Sequence, residues 1–147
     1  MNKISYGIKK VSLLVVVILC ILLLTGCKYV KNKKTETKEI LTEFLNYIKE
    51  DNRTNGYDLL HPDSSLTGNL NSTLAIIEST CDIDLSDEII IGDVISFEMT
   101  KYNGNYGGET CEIVYDATSN GKDITIYIFT LNNDKGFGIY KFDIDKK

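Results

Sequence analysis

The sequence is poor in the residues that many catalytic and metal-binding sites use. Its 147 residues include one histidine, one proline, four cysteines and no tryptophan. The histidine, His61, is distant in sequence from Cys81 and Cys111, which argues against a cysteine nucleophile with a histidine base. Phosphate-binding glycine loops, a nucleophile elbow and zinc-ligand spacings are also missing. The sequence therefore predicts no cofactor and contains no motif that indicates an enzyme.

Basic residues are scarce beyond the first quarter of the chain. Residues 39–147 hold 8 basic and 20 acidic residues, a net charge of −12. Nucleic-acid binding depends on Lys and Arg side chains that neutralise phosphates. We therefore exclude nucleic acid as a partner.

An apolar run long enough to be a typical membrane-spanning helix is missing too, and a shorter run opens the chain. Residues 11–24 are apolar except for Ser12, and three lysines precede them. Spanning a bilayer takes about 20 apolar residues. A basic start, a short apolar run and small residues at a cleavage site are typical of a secretory signal peptide. We expect residues 1–26 to be such a signal.

The end of this segment, Leu24-Thr25-Gly26-Cys27, resembles the lipobox of bacterial lipoproteins at all four positions. The resemblance implies cleavage before Cys27 and a diacylglycerol, carrying fatty acids such as palmitate, on the Cys27 sulfur. Each buried methylene adds about 0.8 kcal/mol, so several acyl chains hold a protein stably. The implied location is the extracytoplasmic side of the cell membrane, which becomes a partner through the lipid. The alternative is an uncleaved signal anchor.

Residues 27–38 are polar and lysine-rich and are interpreted as a tether between the lipid and a folded domain over residues 39–147. The lysines either lie in solvent or contact anionic lipid headgroups, where each contributes about 1 kcal/mol.

The spacing of the apolar residues changes once along the domain, from helical spacing in its first half to alternation in its second half. Helical spacing predicts a helix of about 14 residues from Thr37, a short helix at 57–61 that ends before Pro62, and a third at 69–80. Alternation then predicts strands near 94–101, 111–115, 124–129 and 137–144, with a tight hairpin at Asn120-Gly121. The result is an α+β fold, with N-terminal helices packed on a curved antiparallel sheet of about four strands.

Three segments resemble the NTF2-like or cystatin-like domains of small Gram-positive lipoproteins: Phe44-Leu45-Asn46-Tyr47-Ile48, Tyr57-Asp58-Leu59-Leu60-His61-Pro62 and the final hairpins. The resemblance implies a sheet that wraps the long helix, and in some members a pocket with Asp, His and Tyr side chains. Such domains often carry a tryptophan near the last strand, where this chain offers Phe137 or Tyr140 instead.

His61 lies between Asp58 and Asp63 in the sequence. Histidine is the usual general base near neutral pH, so these three residues are the candidate catalytic group of a pocket enzyme. A histidine at a helix end more commonly interacts with the last carbonyl groups of the helix.

Two further sites are possible. Cys81 and Cys111 are expected to form a disulfide in an oxidising compartment, or else to remain separate buried thiols. The acidic segment after Cys81 contains oxygen ligands at the spacing of a calcium loop but lacks its glycine, so a solvated acidic loop is the alternative. Its weak candidate ligands are Asp82, Asp84, Ser86 and Asp93.

Tyrosines are frequent in the strand half of the chain, and they either line a binding surface or pack within the sheet. They are Tyr102, Tyr106, Tyr115, Tyr127 and Tyr140. Three functions follow for this cell-envelope lipoprotein. It is a non-enzymatic domain that binds a small ligand or an envelope protein, a pocket enzyme of the isomerase or hydrolase type that uses His61, or an inhibitor or immunity-like protein with a protruding loop at 103–109.

Overall fold

The structure is a computed structural model that describes the backbone of residues 3–147 and the side chains of Val15 and residues 26–147. Three helices precede four strands: α1 (Lys3–Lys49), α2 (Arg53–Asp58), α3 (Leu66–Cys81), β1 (Ile89–Asn103), β2 (Gly108–Ser119), β3 (Lys122–Asn133) and β4 (Gly136–Lys146). The strands form one antiparallel sheet in the order β1-β2-β3-β4. The predicted α+β class, with helices followed by a four-stranded antiparallel sheet, is confirmed.

The chain divides into two units, Met1–Lys33 and Lys34–Lys147. The apolar run of the predicted signal peptide and the first half of the lipobox lie outside the described side chains. Cys27 is exposed. Within the described part of the chain, no helix is both long and apolar enough to cross a membrane.

The predicted tether is helical in the structure. Residues 28–38 belong to α1, although the sequence predicts that this helix starts near Thr37. The compact second unit also begins at Lys34, before residue 39. Within this second unit, α1 already packs on the sheet before residue 39: Lys34 Nζ lies 4.3 Å from the ring centroid of Phe97, and Thr37 is 1% exposed.

The helices bury one face each against the sheet. In α1 the buried side chains follow helical spacing and are Ile40, Leu41, Phe44, Leu45 and Ile48. In α3 the expected residues Leu70, Leu74 and Ile77 are buried, whereas Ile76 is 65% exposed. The short helix α2 begins earlier than expected because the Asn52 side chain accepts a hydrogen bond from the Asn55 N–H and caps it.

The strands place alternate residues on opposite faces, so one face packs on the helices and the other, the outer face, is free of helices. In β3 the helix-facing residues are Ile124, Ile126, Ile128 and Thr130. The β2–β3 hairpin has positive φ at Asn120 and Gly121, as predicted.

The β4 edge of the sheet is covered, which matters because an open edge invites pairing with other chains. The Ile139 carbonyl accepts from the His61 N–H, the Tyr140 carbonyl from the Ser64 hydroxyl, and the Ile144 carbonyl from the Cys81 thiol. The segment before α3 therefore docks as a short parallel bridge onto β4.

Candidate functional site

The helix-facing side of the sheet is filled rather than hollow. Core side chains of α1 are at most 9% exposed there and those of three strands at most 4%, and Phe44 packs edge-on against Phe142 with ring centroids 5.1 Å apart. An NTF2-like pocket would have to occupy this same space. The face that the family resemblance assigns to a pocket is therefore part of the hydrophobic core.

His61 is fully buried in a structural role. Its Nδ1 accepts a hydrogen bond from the Asp63 N–H at 3.1 Å, so Nε2 carries the proton and donates to the Asn133 Oδ1 at 3.0 Å. Asn133 in turn donates from Nδ2 to the Tyr106 carbonyl and accepts from the Lys135 N–H. Both ring nitrogens are thus occupied, and the imidazole joins two hairpin ends to the loop before α3.

The two aspartates do not complete a catalytic group. The Asp63 carboxylate lies 2.7 Å from Lys135 Nζ and raises the pKa of that lysine, while the Asp58 side chain is exposed on α2. The partners of the His61 ring are an amide oxygen and a backbone N–H, neither of them a carboxylate. The structure therefore does not assemble the predicted acid–base set of His61, Asp58 and Asp63.

The structure does not contain the disulfide expected between Cys81 and Cys111. Both thiols are free and buried. Cys81 donates to the Ile144 carbonyl on β4, whereas Cys111 lies on β2 and accepts from the Thr37 hydroxyl. The strand register places the β2 cysteine about 16 Å from that carbonyl, although a disulfide requires Cα atoms within about 7 Å. Burial raises the pKa of the Cys81 thiol, which keeps it protonated and unreactive.

Of the candidate calcium ligands, Asp82 and Asp84 line one surface pocket, whereas Asp93 lines another. Asp82 pairs with Lys122, which lowers the pKa of that carboxyl, and Asp84 accepts from the Ser86 N–H. Asp93 lies on β1, in an irregular stretch of the strand. The described residues contain no group of three or more His, Cys, Asp or Glu side chains suited to hold a metal ion.

An open groove of about 590 Å³ lies on the outer face of the sheet. It runs from β2 across β3 to the β4 edge and reaches the first residues of α3. The side chains that define it are Tyr106, Glu112, Tyr127, Phe129, Lys141 and Asp143. This outer-face groove combines aromatic rings with carboxylates, and we take it as the candidate site.

A cluster of aromatic rings forms one end of the outer-face groove. Tyr106 lies 5.2 Å from Phe129 and 5.3 Å from Tyr140, and the last two rings are 5.6 Å apart. The turn that carries Tyr106 folds back onto the sheet, held by Asn133. This turn does not present Tyr106 as the free tip that an inhibitory loop at 103–109 would require.

Carboxylates surround the rings on the outer face. Glu112 pairs in register with Phe129, and Asp143 with Tyr127. Two residues further along β4, and on the same face, Asp145 pairs in register with Thr125. Lys141 is the one basic side chain among the groove residues, and its Nζ lies 6.0 Å from the Phe129 centroid. The site is therefore an acidic surface with an aromatic floor.

The structure separates the five tyrosines singled out in the sequence. Tyr106 contacts Tyr140 and shares the groove lining with Tyr127, whereas Tyr115 is 1% exposed in the core and Tyr102 is 76% exposed on β1. Burial raises the pKa of Tyr115 to about 12. The groove residues Phe129, Glu112 and Asp143 were not among the candidates predicted from the sequence. The alternation of β3, together with an assumed register, is the signal that could have found them.

The comparisons with known proteins give no further guide. No protein-family model, curated protein or solved structure matches the chain.

Proposed function

We propose that the protein is a lipid-anchored lipoprotein of the cell envelope whose acidic domain is a non-enzymatic binding module. The anchor is the lipid on Cys27, and the expected side is the extracytoplasmic one. The single observation that supports a binding role is the division between the two sheet faces: the helix-covered face is filled, while the outer face holds an open groove. A partner would bind in this groove.

The core argues against the pocket enzyme. An enzyme of that type needs a cavity with a free base, but the one histidine of this chain is 0% exposed and has both ring nitrogens hydrogen-bonded. Using it as a base would break its hydrogen bond to the backbone. The outer-face groove, by contrast, is accessible without any rearrangement.

Mass spectrometry of the mature amino terminus tests the anchor. We expect a diacylglycerol-modified Cys27, and we expect Cys27→Ala to release the protein from the membrane fraction. An unmodified Cys27 in the membrane-bound protein would refute the lipoprotein assignment.

Site-specific photo-crosslinking in intact cells tests the binding role. A photoreactive side chain in place of Tyr127 lies on the outer face, and one in place of Ile76 lies on an exposed position of α3. We expect a discrete adduct from position 127 and none from position 76. Equal yields from both positions, or no adduct at 127, would contradict binding through the groove.

A further inference from the structure

The chemistry of the outer-face groove identifies a class of ligand, an inference that rests on the proposed binding function. The first observation is an unfavourable charge pair at its margin. Glu98 of β1 and Glu112 of β2 are directly opposite in register, and both are exposed. Like charges in such a position destabilise a sheet. A cationic group bound between them would remove this repulsion.

The remaining charges of the outer face have the same sign. Asp143 and Asp145 are exposed on β4, and Asp116 of β2 is already paired with Lys147. Lys141 is the one lysine that lines the groove among the described residues, so the face keeps a clear excess of negative charge. The domain as a whole carries 8 basic and 20 acidic residues over 39–147, which would steer cations towards it.

The floor of the groove suits a particular kind of cation. Tyr127 is 38% exposed, and Phe129 contacts two tyrosine rings, so aromatic side chains lie beside the carboxylates. Guanidinium and ammonium groups bind over aromatic faces within about 6 Å of the centroid. Lys141 already takes this position over Phe129 from within the chain. Arginine adds planar stacking and bidentate contact with carboxylates.

The shape favours an extended chain over a compact small molecule. Small-molecule sites bury most of their ligand in a concave pocket, whereas this groove is open and crosses three strands. We infer that the outer-face groove binds an extended segment of a partner protein that carries arginine or lysine side chains. Its basic groups lie between the Glu98–Glu112 pair and Asp143, and its backbone lies over Tyr127.

Isothermal titration calorimetry on the full chain in a non-ionic detergent tests this inference. The probe is an acetylated, amidated undecapeptide, Gly-Arg-Gly-Leu-Gly-Arg-Gly-Leu-Gly-Arg-Gly. Two analogues replace every arginine by citrulline, which keeps the shape without the charge, or by glutamate. We expect the arginine peptide to bind at least tenfold more tightly than either analogue. Raising NaCl from 50 to 500 mM should weaken it about tenfold or more because the carboxylates are exposed.

Matched variants locate the site. We expect Glu112→Gln and Asp143→Asn each to weaken the arginine peptide about three- to tenfold, and Asp58→Asn, the same change in charge away from the groove, to change it less than twofold. Glu112→Gln should also raise the Tm of the free protein by about 1–3 °C, since it removes the repulsion with Glu98. A merely structural role for Glu112 predicts the opposite shift.

Three results would overturn the inference: equal affinity for the three peptides, no binding of any of them, or an Asp58→Asn effect as large as that of Glu112→Gln. If these occur while the crosslinked adduct at position 127 persists, the groove binds a partner of other chemistry and the binding function stands. If the adduct is missing as well, the proposed function itself fails.

Discussion

Gly138→Ala tests how the loop before α3 is held on the sheet. A Cβ at position 138 would lie 2.6 Å from the His61 backbone nitrogen and 2.8 Å from the Leu60 carbonyl carbon. These are backbone atoms, so the loop would have to move away from β4. It would then lose the His61 N–H to Ile139 carbonyl bond and the Ile139 N–H to Leu59 carbonyl bond, each 2.9 Å long.

Each hydrogen bond contributes about 1 kcal/mol net, and a buried group left without a partner costs more. We therefore expect Gly138→Ala to lower the free energy of unfolding by about 3 kcal/mol, which corresponds to a fall in Tm of about 10 °C. Near-UV circular dichroism of the tyrosines, recorded during thermal and urea unfolding, measures the change.

Gly68→Ala is the matched control, because the added methyl group meets nothing within 4 Å. Gly68 lies inside α3 on its exposed side, where alanine should stabilise the helix by about 0.5–1 kcal/mol. The two substitutions add the same atoms but should have opposite signs. The reasoning is refuted if Gly138→Ala stays within 0.5 kcal/mol of the unchanged protein, or if Gly68→Ala is just as destabilising.

Three more predictions concern buried polar groups. Asn133→Ala should lower the free energy of unfolding in urea by about 2 kcal/mol, since it leaves the buried imidazole N–H without an acceptor, whereas the neighbouring Asn132→Ala should change it by less than about 0.5 kcal/mol. Maleimide-polyethylene glycol should label Cys81 and Cys111 only after unfolding, and omitting dithiothreitol should not change the number labelled; a disulfide would make labelling depend on the reductant. The Tyr115 hydroxyl, with its pKa raised by burial to about 12, should ionise last in an ultraviolet titration. The contribution of the protonated Tyr115 hydroxyl to the free energy of unfolding is present below about pH 10 and is lost as the pH rises through about 12. Tyr115→Phe should abolish this pH dependence.

The elements that depend on local pattern could be predicted from the sequence. Leu70, Leu74 and Ile77 are spaced to share one face of a helix, and they are buried as that spacing predicts. The tight hairpin at Asn120-Gly121 could be predicted because the positive φ angles that this turn requires belong to these two residues themselves. Such signals need no knowledge of what the rest of the chain does.

The candidate site depends on contacts between distant residues, which a local pattern does not contain. The hydrogen bond of His61 to Asn133 spans 72 positions. Tyr140 sits where the β3–β4 register shifts between Phe129 and Thr130, and this bulge places its ring beside Tyr106. The disulfide expected between Cys81 and Cys111 depends on long-range contacts in the same way. The strand register, which the sequence does not reveal, places Cys111 far from the end of α3, where Cys81 lies.

The two faces of β2 show how one strand can serve both the fold and the binding site. Ile113 and Tyr115 point into the core at 0% and 1% exposure, whereas Glu112, the residue before Ile113, points out into the groove. Removing the Ile113 side chain should cost about 2–5 kcal/mol because it leaves a cavity. Changing Glu112 to Gln should instead raise stability slightly, because it removes the repulsion with Glu98, and it should alter what the outer face attracts. Because side-chain direction alternates along β2, the charge of the outer face can vary without disturbing the core, and a single four-stranded sheet can offer a surface for binding while its described helix-facing side is filled.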